Sequence, residues 1–148
     1  MKMTRRQALA LVPGAAALSA LGFPGAGRAA TADEEITAFT GGVAPAEGRI
    51  RLTVPEIAEN GNSVPVSVTV DSPMTADDHV AAVLILAAGN PTPKVATMRF
   101  GPLSGSAEAA TRIRLAKTQD VIAVARMSDG SVFMDRREVK VTIGGCGG

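Results

Sequence analysis

The sequence predicts an all-β domain, an immunoglobulin-like antiparallel β-sandwich of about seven strands with one short helix before it. Three observations carry that prediction. Apolar and polar residues alternate at period two in several separate stretches, short turn signals divide those stretches, and helical periodicity is confined to a few residues around Ile36. The chain has 148 residues, of which 46% are hydrophobic and 20% charged. That is one domain's worth of chain, neither disordered nor fibrous in composition.

The elements follow in order. Thr31 and Glu34 have capping-box spacing, Ile36 and Phe39 lie one turn apart, and Gly41-Gly42 ends the run, so a helix is expected there. Asp33-Glu34-Glu35 falls in its first turn, where the macrodipole favours carboxylates. Ile50–Val54 alternates as a strand should. In Ser63–Asp71, Val64, Val66, Val68 and Val70 take one face while Ser67, Thr69 and Asp71 take the other. Val80–Leu86 and Val121–Ala125 are unbroken apolar runs, the pattern of strands covered on both faces. Val95–Phe100 is a further strand, and Thr111–Leu115 and Val139–Ile143 alternate again. Arg112 and Arg114 then read as a solvated strand face.

Turn signals stand between the strands: Glu59-Asn60-Gly61-Asn62, Ser72-Pro73, Gly89-Asn90-Pro91 and Gly101-Pro102. Ser128-Asp129-Gly130 joins the runs at 121–127 and 131–143 as a tight hairpin. Arg136-Arg137, inside the long last run, suggests a bulge or bend. No internal repeat or linker divides the chain, so one domain is expected over residues 30–143.

Residues 1–29 read as an export signal that is removed. Lys2, Arg5 and Arg6 lead into an apolar run from Ala8 to Leu21, followed by small residues around Gly27-Arg28-Ala29. That run is shorter than the roughly 20 residues a bilayer core requires. Thr4-Arg5-Arg6-Gln7-Ala8-Leu9 is similar to the twin-arginine export motif, and no lipobox cysteine accompanies it. The expected location is the periplasm, without a membrane anchor. Twin-arginine signals act on folded chains, and with no cofactor motif in the sequence, a partner carried across with this subunit explains the route.

Composition excludes several functions. Fifteen Lys and Arg against fourteen Asp and Glu give +1, but residues 1–29 hold four bases and no acid, leaving eleven bases against fourteen acids in the body. A slightly acidic body argues against nucleic acid. Without Trp or Tyr, and with four Phe, stacking platforms are also unexpected. One Cys and one His cannot build a structural zinc site or a disulfide framework, and no metal or cofactor is expected.

The chemistry is concentrated at the C-terminus, Ile143-Gly144-Gly145-Cys146-Gly147-Gly148. Gly144, Gly145, Gly147 and Gly148 contribute no packing and the most backbone freedom, so residues 144–148 are expected to be a mobile arm, with a reach of roughly 17 Å. Its backbone is thin enough to thread a narrow tunnel. An unpaired thiol is unusual in an exported protein. Nothing local lowers the Cys146 pKa, and the nearby C-terminal carboxylate would raise it, so the thiol reads as a handle activated inside another protein's site.

This terminus resembles that of the SoxY family, the sulfur-carrier subunits of the periplasmic thiosulfate-oxidising (Sox) system. The likeness extends through Val54-Pro55-Glu56-Ile57-Ala58-Glu59-Asn60-Gly61-Asn62, Ser72-Pro73-Met74-Thr75, Gly89-Asn90-Pro91, Pro102-Leu103-Ser104-Gly105 and Thr111-Arg112-Ile113-Arg114-Leu115-Ala116. The resemblance implies covalent attachment of sulfur intermediates at Cys146 and no catalysis by the chain itself. It implies a heterodimer with SoxZ, a second sandwich subunit lacking its own leader. It also implies transient docking to a haem enzyme that conjugates thiosulfate, a manganese hydrolase that releases sulfate, and a molybdenum–haem sulfane dehydrogenase.

Three other readings compete. Gly147-Gly148 could carry a C-terminal thiocarboxylate, as ubiquitin-like carriers do, but that chemistry is cytoplasmic and belongs to a helix-containing fold. Cys146 with His79 as base would make a thiol enzyme, although His79 follows Asp77-Asp78 and reads as a surface residue. A non-catalytic exported β-sandwich binding module accounts for the body and leaves the tail unused.

Overall fold

In the computed structural model, which describes residues 29–142, the expected helix and strands form in the expected order. The helix, α1, spans Ala32–Thr40. Thr31 and Glu34 cap it reciprocally: the Thr31 N–H donates to Glu34 Oε2 at 2.6 Å, and the Glu34 N–H donates to Thr31 Oγ1 at 3.3 Å. Gly41 ends it in the left-handed region with φ 67°.

Eight strands follow: β1 Ile50–Thr53, β2 Ile57–Ala58, β3 Val64–Val70, β4 Val80–Ala87, β5 Lys94–Arg99, β6 Ala107–Ile113, β7 Gln119–Met127 and β8 Val132–Val141. They form a three-stranded sheet, β1-β3-β6, and a five-stranded sheet, β2-β8-β7-β4-β5. Every pairing is antiparallel except the short parallel contact of β2 with β8. The architecture is the immunoglobulin-like sandwich that the alternation predicts.

The main core lies between the sheets. Val64, Val66, Val68 and Val70 of β3 pack against Val83 and Ile85 of β4 and Val121, Ala123 and Ala125 of β7. A second core covers the opposite face of the large sheet, where Leu84, Leu86, Ile122, Val124 and Val132 meet Ile36 and Phe39 of α1. The two unbroken apolar runs are therefore explained. In Val121–Ala125, and from Val83 onward in β4, odd-numbered residues face the other sheet and even-numbered residues face the helix. The irregularity between Val80 and Ala82 puts Val80 on the inter-sheet side as well.

Some details differ from the sequence reading. The additional strand is β2, whose two residues are too few to show alternation. β6 begins at Ala107, four residues before the alternating stretch, because the β3 ladder from Val64 to Val70 pairs along its whole length. Ala107-Glu108-Ala109-Ala110 has weak strand propensity of its own, and tertiary pairing overrides it. No bulge marks Arg136-Arg137, since β7 and β8 pair without a register shift from Gln119↔Val139 to Arg126↔Val132. The irregularities lie in β4 instead, between Val80 and Ala82 against β7 and between Ile85 and Leu86 against β5. The hairpin at Ser128-Asp129-Gly130 forms, with Gly130 at φ 86° and its N–H donating to Met127 O at 3.0 Å.

Candidate functional site

Cys146, its flanking Gly144, Gly145, Gly147 and Gly148, and the export-signal residues Arg5 and Arg6 lie outside the described residues. What is described is the platform that leads to Cys146, the C-terminal end of β8. β8 is held there on both sides. Toward β2, the Lys140 N–H donates to Glu56 O at 2.8 Å and the Thr142 N–H to Ala58 O at 3.1 Å. On the other side, the Val141 N–H donates to Thr118 Oγ1 at 3.0 Å. Thr142, the last described residue, is exposed at the surface of the sandwich.

Three loops converge on this exit. Leu115 N–H donates to Gly61 O at 2.7 Å, which fastens the 60–62 turn to the segment after β6. Gly61 is required at that contact, because a Cβ there would overlap Leu115 O and stand 3.0 Å from Val141 Cγ1. Asn90 reaches across from the β4–β5 turn. Its Nδ2 donates to Arg114 O at 2.8 Å, and its Oδ1 accepts from the Ala116 N–H at 3.0 Å and from Gln119 Nε2 at 2.9 Å. Gln119, buried at 7% exposure, also donates to Lys117 O at 2.9 Å and accepts the Gly89 N–H at 2.8 Å. A buried amide with both ends paired rigidifies its surroundings.

The turns at Asn60-Gly61-Asn62 and Gly89-Asn90-Pro91 are therefore more than chain reversals. Together with Arg114–Ala116 they form a braced collar around the strand end that leads to Cys146. A cavity of about 200 Å³ opens in it, lined by Asn60, Gly61, Asn62, Arg114, Leu115 and the end of β8. In the sequence these loops read as plain turns. The signal that marks them out is the family resemblance, which runs through these same stretches.

His79 is remote from this collar. It precedes β4, with its Nδ1 2.9 Å from Thr75 O and its N–H donating to Ser128 Oγ at 3.1 Å, beside the β7–β8 hairpin. The strand end at Val141 is at the opposite end of the sheet, roughly 30 Å away along β8 at the usual rise per residue. The four residues from Thr142 to Cys146 span at most about 14 Å. Arg112 and Arg114 are exposed, as a solvated strand edge requires, and Arg114 also reaches the collar.

Among the described residues, no cluster of three or more His, Cys, Asp and Glu side chains could hold a metal ion. Among them, too, no helix is long and apolar enough to cross a membrane.

Comparison with solved structures first defines the class. The fold is shared with superoxide reductases (neelaredoxins), among them the one from Ignicoccus hospitalis at 18% identity and TM-score 0.57, covering 64% of this chain and 81% of that one. A putative superoxide reductase from Thermotoga maritima matches at 19% identity and TM-score 0.53, covering 63% and 85%. These likenesses show the sandwich alone. The sulfur carrier protein SoxY from Chlorobium limicola f. thiosulfatophilum is similar at 35% identity and TM-score 0.62, covering 75% of this chain and 96% of that one. The sequence model of the family described as sulfur oxidation protein SoxY matches residues 36–146, a span that ends at the cysteine. The chain belongs to the SoxY family. A comparison with curated proteins returns no match.

Proposed function

We propose that this chain is a covalent sulfur carrier in thiosulfate oxidation, with Cys146 as the attachment point. The observation that carries the reading is the family match running to Cys146, five residues beyond a strand end braced on both sides. A fixed base with a short glycine-flanked extension suits a thiol that must be offered to other proteins' active sites.

The chemistry follows from the thiol. Thiosulfate joins Cys146 through a new S–S bond, giving the S-thiosulfonate, while the thiol proton goes to solvent and two electrons go to the conjugating haem enzyme. Hydrolysis by the manganese enzyme then breaks the sulfane–sulfonate bond, releases sulfate and leaves a persulfide. The sulfane dehydrogenase oxidises that sulfur to the sulfonate, taking three oxygen atoms from water, releasing the protons to solvent and passing six electrons into its own molybdenum–haem centres. A second hydrolysis frees the thiol. Covalent tethering keeps each small anion from diffusing away between steps.

In this reading the chain is a substrate of its partners and has no catalytic residues of its own. The separation of His79 from the β8 end supports that, since a cysteine within about 14 Å of Thr142 does not reach a base roughly 30 Å away. The reading also includes a heterodimer with SoxZ and export by the twin-arginine route through Arg5 and Arg6, with the partner as passenger. The deciding experiment is intact-mass analysis after incubation with thiosulfate and the conjugating enzyme. A sulfur adduct that alkylation of Cys146 prevents is expected. An adduct surviving alkylation, or none at all, overturns the proposal.

A further inference from the structure

Two arginines flank Ala82 on the sheet face that carries α1. The register pairs Ala82 with Arg99 on β5 and with Arg126 on β7, so the three stand in one row across adjacent strands. Neighbouring strands lie about 4.8 Å apart, which puts the two arginine Cα atoms roughly 10 Å apart with a methyl group between them. A cavity of about 420 Å³ opens over this row, closed on one side by Glu35 and Phe39 of α1 and reached also by Lys94. Its charged lining is three cations against one carboxylate, and that carboxylate, Glu35, is 3.8 Å from Lys94.

The arginines are not neutralised. Arg126 is held in place by its Nη1, which donates to Phe39 O at 3.1 Å, and its guanidinium lies over the Phe39 ring at 5.0 Å. Neither contact offsets its charge with a carboxylate, and most of its fork is left open. The Arg99 side chain makes no ion pair or hydrogen bond among the described residues. An edge strand gains solubility from one outward cation. That need does not explain a second, half-buried arginine fixed by stacking and pointing over the same small floor.

We propose that this trough is a binding site for a small divalent oxyanion. Guanidinium forks match oxyanions in both charge and planar donor geometry, and Ala82 leaves the room between them. The ligand is a free ion and not cargo on Cys146. The row lies roughly 24 Å along β7 from Gln119, the end near the β8 exit, whereas Cys146 reaches at most about 14 Å from Thr142. Choosing sulfur oxyanions as probes rests on the carrier reading; the site itself does not.

The test is calorimetric titration of the full exported chain with sodium sulfate and with sodium thiosulfate, against sodium chloride at matched ionic strength. Saturable binding of both dianions, absent with chloride, is expected. Arg99→Gln removes a side chain that bonds to none of the described residues, and it should weaken binding at least tenfold while leaving the thermal transition in chloride unchanged. Cys146→Ser should bind as the parent does. Heat effects equal to those of chloride, undiminished binding by Arg99→Gln, or lost binding in Cys146→Ser would each overturn the proposal. Sulfate binding alongside failed adduct formation on Cys146 would uphold this site and remove only the carrier reading.

Discussion

Asp135 of β8 accepts a hydrogen bond from the backbone N–H of Leu52 in β1 at 2.9 Å, so a side chain of the large sheet caps the open edge of the small one. Leu52 is buried, and as an edge residue its N–H has no strand partner on that side. Asp135 uses its other oxygen to accept the Arg136 N–H at 2.8 Å, and Arg137 stands 3.4 Å away. Removing the carboxylate leaves a buried donor unmet, which costs about 1–3 kcal/mol. Asp135→Ala is expected to lower the urea midpoint accordingly, and Asp135→Asn, which keeps an acceptor oxygen, to lower it less. Equal stability of Asp135→Ala and the parent would show that solvent satisfies Leu52.

Gly61 governs the collar in a different way. Its turn touches the Leu115 backbone so closely that a methyl group must displace either Leu115 or Val141. Overpacking of this kind costs about 1–3 kcal/mol. Gly61→Ala should therefore destabilise the fold and raise hydrogen exchange at the Leu115 amide, which donates to Gly61 O. Exchange at the β3–β6 ladder should change less. Uniform loss of protection across both sheets would mean that the collar is not a local unit.

Much of the fold is legible in the sequence, and the reason is physical. The valines of β3 declare their face because one side is buried and the other is wet, and the Thr31–Glu34 box is a local device readable from four residues. What escapes is long-range. Asn90 bonds to residues 24 to 29 positions away, and no local pattern distinguishes that from an ordinary turn. Arg136 and Arg137 break the apolar alternation and so suggest a bend. In the fold β8 stays regular, and the two instead pair outward with Asp120 at 3.5 Å and Asp135 at 3.4 Å, where no core residue is needed. The same locality makes Cys146 easy to pick out and the collar, assembled from distant segments, hard.

The β7–β8 hairpin carries a titration that can be followed. Ser131 donates to Asp129 Oδ1 from its hydroxyl at 2.5 Å and from its N–H at 2.9 Å, and these bonds to the charged form hold the carboxyl below its ordinary value. A lowered pKa means that the turn's stabilisation is complete above the unfolded value of about 3.9 and fades as pH falls through the lowered one. NMR titration should place the Asp129 midpoint below that of an unstructured aspartate. Ser131→Ala should move it back up, since it removes the larger of the two bonds. A midpoint unmoved by Ser131→Ala would assign the shift elsewhere.

His79 separates a carrier from a self-sufficient thiol enzyme. It faces Thr75 and Ser128 at the end of the sheet opposite the collar. His79→Ala is expected to accept sulfur from thiosulfate, in the presence of the conjugating enzyme, at the parent's rate. A loss of tenfold or more without a loss of stability would reopen the enzymatic reading.

The carrier reading makes its sharpest demand on distance. If Cys146 works by reaching into other proteins' sites from a fixed collar, its sulfur and its spacing should matter independently. Cys146→Ser removes the nucleophile and should abolish thiosulfate-dependent turnover in a reconstituted system while leaving the thermal transition and partner binding intact. Deleting Gly144 and Gly145 keeps the thiol but shortens the extension beyond Thr142 by about 7 Å. That variant should still react with a small alkylating reagent at the parent's rate, yet lose most enzyme-dependent turnover, because small molecules come to the thiol and enzymes must be reached by it. Full turnover by the shortened chain would mean that the enzymes approach the collar itself, and length would then have no part in the mechanism.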